Sequence, residues 1–378
     1  MHVASGHRPG PTPSTLKKPA MPDAALPRST AASPANPAGA RKPKSRPGTV
    51  WTPSLDATSW TPPALTPQNH PLARRHYRVA TSAIEEFVTL VDNCLRVLTP
   101  GALIHARPRM GKTHAVDYMV LHLSRARPSV LVLRMSCEYH RTDFEGAFFN
   151  SLLVATGQNN LKTTTISQKR FVLLQRIIEQ LQRRAGHIVV LLCDEGQRLS
   201  KHALEWLRDV HDQLAHHGVR LLTFLVGQPQ LLENKAMYQL SGDEQIVARF
   251  MIEQLHFRGI TCAQDAATCM ASYDQSRYPE ETGPTFVEFY YPLAFGAGMR
   301  LERSGATAWN AFVNAHTSAQ LAGPVEIPMD YFTRAVESVL TMGPKWDGIG
   351  LELTAVHWQR AVAESGYVAA QQTVRLGS

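Results

Sequence analysis

The stretch that decides the fold is A-R-P-R-M-G-K-T, Ala106 to Thr113. The apolar run Ala102–Ala106 precedes it and a helical pattern follows, giving the strand, loop and helix that a phosphate-binding loop needs. Backbone N–H groups of such a loop and the N-terminus of the following helix together offer a seat for phosphate oxygens. Gly111 lets the backbone approach the phosphates, Lys112 reaches the β- and γ-phosphates, and the Thr113 hydroxyl is placed to ligate Mg²⁺. Arg107, Pro108, Arg109 and Met110 form the rest of the loop, and His114 follows in the first helical turn. Ala106 stands where such loops usually begin with glycine, which a strand end tolerates while φ stays negative. The expected ligands are ATP and Mg²⁺.

Outward from the loop, short apolar runs alternate with longer helical patterns. The runs are 102–106, 130–135, 188–193 and 221–226; the helical patterns cover roughly 79–98, 112–125, 143–156, 167–185 and 201–217. That alternation predicts an α/β fold, a parallel sheet with crossover helices. Beyond residue 260 the pattern is helical near 262–276, 285–295, 304–320, 328–340 and 354–365, which predicts an α-helical lid.

Three further motifs follow the loop in order. I-V-V-L-L-C-D-E, Ile188 to Glu195, reads as a buried strand delivering two carboxylates to its C-terminal end, where ligands bind in open α/β sheets. Asp194 is expected to help hold Mg²⁺ and Glu195 to polarise the attacking water. L-L-T-F-L-V-G-Q-P-Q-L, Leu221 to Leu231, ends a strand in a turn whose Gln228 can orient water or sense the γ-phosphate, or simply occupy a Gly–Pro turn. In I-V-A-R-F, Ile246 to Phe250, Arg249 is expected to reach a neighbour's γ-phosphate as an arginine finger, against the plainer reading of a cation at a helix end.

Those four motifs in that order resemble the TniB/TnsC family of transposition ATPases, AAA+ proteins of the initiator clade and kin of the IstB and MuB regulators. E-I-P-M-D-Y-F-T-R-A-V-E, Glu326 to Glu337, is similar to their C-terminal region, and the resemblance spans roughly 80–340. Its most diagnostic part is the pairing of D-E-x-Q-R-L with V-G-Q-P. It implies an AAA+ sheet with helical lid, and ATP-dependent assembly on double-stranded target DNA as a ring or helical filament. It also implies target-site choice, and recruitment or stimulation of a DDE transposase, with a TniQ-like target-selection protein as a further partner. On that resemblance DNA is expected along the polar stretch 158–170, through Lys162, Thr163, Thr164, Thr165, Lys169 and Arg170. Hydroxyls, Lys and Arg are the usual phosphate contacts. In G-A-G-M-R, Gly296 to Arg300, Arg300 is a candidate second sensor over the nucleotide, with Arg303 an equal claimant.

Composition bounds the rest. The net charge of +8 is uneven: residues 1–78 hold 11 Lys/Arg against Asp23 and Asp56, the remainder 28 bases against 29 acids. The body is therefore not basic overall. Fifteen of the 25 prolines lie in residues 1–71, so 1–70 reads as a disordered basic tail, with Trp51 and Trp60 as a possible docking motif. The expected organisation is that tail, an α/β core at 71–260, a lid at 261–345 and a C-terminal partner-binding segment at 346–378. No run of eighteen apolar residues exists, which argues against a membrane span. The five scattered cysteines fit a reduced compartment rather than a disulfide scaffold, and a bacterial cytoplasm is expected. Two other functions remain open: an AAA+ nucleotide switch in defence or signalling without DNA binding, and a secretion-linked ATPase.

Overall fold

Runs of Val, Ile and Leu without polar alternation suit strands covered on both faces, and the sheet is built from them. The computed structural model describes residues 66–139, 143–158, 165–280 and 282–376. The expected tail up to residue 65, with Trp51 and Trp60, lies outside the described residues. In chain order the α/β part comprises α1 (Pro71–Arg74), α2 (Ser82–Val97), β1 (Gly101–His105), α3 (Lys112–Ala126), β2 (Leu131–Ser136), α4 (Glu145–Ala155), α5 (Ile166–Arg183), β3 (Ile188–Asp194), α6 (Lys201–His216), β4 (Arg220–Gly227), α7 (Gln230–Leu240), α8 (Glu244–Phe250) and β5 (Glu253–His256). The helical part comprises α9 (Ala263–Gln275), α10 (Phe286–Tyr290), α11 (Pro292–Gly296), α12 (Gly305–Ser318), α13 (Met329–Thr341), α14 (Ala355–Ser365) and α15 (Tyr367–Leu376).

The five strands are all parallel in the order β2-β3-β4-β1-β5. Alternate side chains feed opposite faces. Val189, Leu191 and Cys193 of β3 join the core under α4, α5 and α6, while Val190 and Leu192 join the one under α2 and α3. The fold class expected from the motif spacing is therefore observed. β5 was not legible: Glu253–Gln254–Leu255–His256 is a polar, largely exposed edge strand with no apolar signal.

A third core belongs to the helical part and gathers Tyr273, Phe312, Phe332 and Trp358. Leu72, near the start of the described chain, is buried in it, and Tyr77 and Val79 pack against it. His70 is buried among the rings of Phe286, Phe289 and Tyr290, with its Nδ1 accepting from Leu72 N–H at 3.2 Å. Residues 70–79 thus run as a strap on the helical part. Trp358, Ala361, Val362 and Tyr367 of the last two helices are buried in the same core.

Candidate functional site

Because β4 lies between β1 and β3, three strand ends converge on one edge. Register pairs His105 with Gly227 and Asp194 with Val226, so the phosphate-loop strand, the acidic strand and the Gly–Gln turn end level. Ala106 continues β1 and donates its N–H to Gly227 O at 3.0 Å. It is not among the residues of positive φ, so the missing glycine costs nothing here. Arg109 and Gly111 do take left-handed conformations, at φ 67° and 94°, and their turns aim the loop back over the start of α3. No side chain caps α3 at Gly111, which leaves its first N–H groups for a ligand. Lys112 is buried, its ammonium donating to Ala106 O at 3.0 Å and Arg107 O at 2.8 Å. Burial pulls its pKa below the ordinary lysine range, and the charges of Glu195 and Asp194 offset part of that pull. A buried cation satisfied by two neutral carbonyls is a site prepared for an anion.

The acidic edge is tied together by an amide. Gln197 Nε2 donates to Glu195 Oε2 at 2.8 Å, and Gln197 Oε1 accepts from Gln228 N–H at 3.0 Å. Gln228 Nε2 also reaches Glu195 Oε2 at 3.5 Å. A Cβ at Gly227 would displace the Gln197 amide oxygen, so the glycine of V-G-Q-P makes room for the glutamine of D-E-x-Q. The two motifs are one hydrogen-bonded unit. Glu195 itself sits at φ 57°, a conformation costly for a non-glycine residue that persists when its surroundings over-determine it. Asp194 is buried, accepts from Glu195 N–H and meets Arg134 at 3.5 Å. Arg134 also pairs with Asp117 of α3. Sequence reasoning missed this arginine, although an arginine inside L-V-L-R-M-S was its signal.

Lys112, Glu195 and Gln228 open onto one cavity of about 470 Å³, within the range of small-molecule sites, while Asp194 and Gln197 stand behind its lining. Pro108 to His114, Glu195 and Gln228 line one side. The strap contributes Tyr77 and Val79, the N-cap of α2 contributes Thr81, and α13 contributes Met329, Asp330, Thr333 and Glu337. Arg109 bridges loop and lid: its guanidinium pairs with Asp330 at 2.7 Å while its carbonyl accepts from Asp330 N–H at 3.2 Å. Arg334, one turn on, also grips Asp330. Glu337 accepts from the Tyr77 hydroxyl at 2.6 Å, and burial raises its carboxyl above the usual range. None of the strap or α13 contacts was foreseen, because they join positions up to 260 residues apart.

Residues 100–234 match the AAA domain family model. None of the curated proteins matches the chain. Similar solved structures include the Aeropyrum pernix ORC2 protein in ADPNP–ADP complexes, 13% identical with a TM-score of 0.48, covering 78% of this chain and 71% of that one. The Aeropyrum pernix ORC1 protein in complex with DNA is 13% identical with a TM-score of 0.38, covering 79% and 86%. AMPPCP-bound DnaA from Aquifex aeolicus is 13% identical with a TM-score of 0.32, covering 83% and 93%.

The remaining expected residues lie apart from this cavity. Arg249, at the end of α8, pairs with Asp212 of α6 at 2.8 Å and does not line the cavity. Arg300 lies on a separate cleft of the helical part, held by Phe295 O and Met299 O. Of the polar stretch, Lys162, Thr163 and Thr164 lie outside the described residues. Thr165 caps α5, its hydroxyl accepting from Gln168 N–H in a capping box. Lys169 reaches Gly146 O at 3.4 Å, and Arg170 pairs with both Glu145 and Asp209 while covering the Phe149 ring. Among the described residues no helix is long and apolar enough to cross a membrane.

Proposed function

We propose that this protein is an ATP-hydrolysing, DNA-binding AAA+ regulator of DNA transposition. In this reading it oligomerises on double-stranded target DNA, selects the site, and recruits or activates a DDE transposase with a TniQ-like partner. The single observation that carries the ATPase reading is the convergence of Lys112, Glu195 and Gln228 on one cavity, with the buried Asp194 close enough for its charge to act on Lys112. The order of motifs and the physical coupling of D-E-x-Q with V-G-Q support the finer assignment.

Mg²⁺ fits the donors present. Among the described residues no cluster of three His, Cys, Asp or Glu could hold a metal unaided, so an ion here needs the ligand's own oxygens. Asp194 and Thr113 are the protein groups that would complete its shell, as one carboxylate and one hydroxyl commonly do beside phosphates. Held there, Mg²⁺ would neutralise charge on the terminal phosphates.

The chain's own groups do the rest. The Lys112 ammonium exchanges its two carbonyl partners for phosphate oxygens, a stronger charge-assisted pairing. Glu195 accepts a hydrogen bond from the water that attacks the γ-phosphate, and Gln197 and Gln228 hold that carboxylate in place. Arg249 leaves Asp212 to stabilise the transition state in a neighbouring subunit's site. Lys162, Thr163, Thr164, Thr165, Lys169 and Arg170 contact DNA phosphates, with Arg170 exchanging its carboxylates for them.

The test is binding of random-sequence duplex DNA with and without ATP across a salt series. ATP-dependent binding that weakens steeply with salt is expected, with a shallower slope after Lys162→Ala and Lys169→Ala. No binding at any salt would overturn this function and favour a nucleotide switch without DNA.

A further inference from the structure

A second cleft, of about 400 Å³, lies in the helical part, well separated in its lining from the nucleotide cavity. Its walls carry Arg300, Arg303, Ser304 and Thr307, with Glu352 the one acidic residue among them. From this cleft we infer a phosphate-binding site for the backbone of duplex DNA, and the inference rests on the DNA-binding function proposed above.

Both arginines are fixed without carboxylates. The Arg300 guanidinium stacks 3.9 Å over the Phe295 ring, and its Nη1 donates to Phe295 O at 3.0 Å and Met299 O at 2.6 Å. Arg303 Nη1 donates to Gly298 O at 3.1 Å. Asp274, which feels the charge of Arg300, is occupied by the N–H groups of Leu301 and Glu302. Each guanidinium has five N–H donors, so tethering through one nitrogen leaves a fork in a fixed direction. A preorganised fork loses little freedom when it takes a planar pair of phosphate oxygens. Both contrast with Arg170 and Arg249, which are held by carboxylates.

The hydroxyls complete the site. Ser304 and Thr307 lie three residues apart, so they face the same side at the start of the 14-residue helix α12, and the Ser304 side chain makes no capping bond. The wall at Gly298 is open, with nothing within 4 Å of where a Cβ would stand, and Gly298 takes φ 97°. Two cationic forks and two hydroxyls make a chemistry that positions a phosphodiester without reading sequence.

The experiment compares full-length protein with an Arg300→Gln/Arg303→Gln variant and, separately, Thr307→Glu, by fluorescence polarisation of a random-sequence duplex over a salt series. ATP affinity is measured alongside, since neither arginine lines the nucleotide cavity. The double variant is expected to lose DNA affinity equally for all sequences, with a salt slope shallower by about two, while binding ATP as before. Thr307→Glu keeps both arginines but sets a carboxylate in the cleft beside Arg303, and is expected to weaken DNA binding in the same sense, which keeps the test open if the double variant fails to fold. Wild-type DNA affinity and slope in Thr307→Glu and in a folded double variant would overturn the site while leaving the proposed function standing. Inorganic phosphate that saturates the cleft without competing with DNA would overturn it in favour of a small phosphate ester. A wild type that binds no DNA overturns the function and this site together.

Discussion

Adding one methyl group at Gly227 would drive it into the Gln197 amide, the group that orients Glu195 and receives Gln228 N–H. Overpacking of this kind costs roughly 1–3 kcal/mol. Gly227→Ala is therefore expected to lower the melting temperature by several degrees and to cut ATP turnover at least tenfold, with ATP affinity nearly kept. A calorimetric scan and a steady-state assay check both halves; wild-type turnover would show that the amide does not position Glu195. Lys112→Ala and Glu195→Gln separate binding from chemistry. Removing the buried ammonium takes away the point charge placed for the phosphates, so ATP binding should disappear. Glu195→Gln should keep ATP binding and lower hydrolysis on the order of a hundredfold or more. Unchanged hydrolysis in Glu195→Gln would remove Glu195 from the mechanism.

At the scale of elements, α13 matters as much as the loop. Asp330 takes Arg109 of the loop with its side chain and backbone together, so the lid is pinned to the phosphate seat. Asp330→Ala should weaken ATP binding several-fold and increase proteolysis between the two parts, although Asp330 touches none of the chemistry proposed. Limited proteolysis with and without ATP checks this, and unchanged protection would mean the bridge is ornamental. The loop, its flanking strand and helix, and the pairs Asp194–Glu195 and Gly227–Gln228 were legible because local periodicity and chemistry coincide there. Some helix limits followed equally well, as at 328–340 against the observed Met329–Thr341, but the pattern at 285–295 is split at Pro292 into α10 and α11, and α7 and α15 were not anticipated. What stayed hidden was long-range or polar. β5 pairs through backbone groups its side chains do not advertise, and Tyr77 meets Glu337 only after the helical core forms. Arg300 reads from sequence as a candidate second sensor over the nucleotide, and only packing shows that it lines a separate cleft.

At the scale of the whole molecule, two buried histidines couple the fold to pH. Burial lowers His70 to about 4 and His211 to about 3. The unfolded chain, with histidines near 6.5, binds more protons than the folded one below that pH. Stability is therefore fully present above about pH 6.5 and lost as pH falls toward 4, with His70 contributing at most about 3 kcal/mol. Urea midpoints from pH 8 to 4.5 should fall on the acid side, and His70→Phe should flatten part of the fall. A flat wild-type profile would contradict the burial of both rings. His70 also bears on truncation. Deletion of residues 1–65 should leave the melting temperature unchanged, whereas a cut after His70 removes a ring that packs on Phe289 and should lower it.

In the proposed function the active site is completed between subunits: Arg249 pairs with Asp212 and does not line its own chain's cavity, and it is assigned to a neighbour's site. Lys112→Ala removes the seat for the nucleotide and Arg249→Ala removes the finger, so each variant alone should be inactive. The most direct measurement is ATP hydrolysis by an equimolar mixture of the two. Restored turnover is predicted, since an intact finger can then face an intact phosphate loop. A mixture that co-assembles and stays inactive would contradict the account.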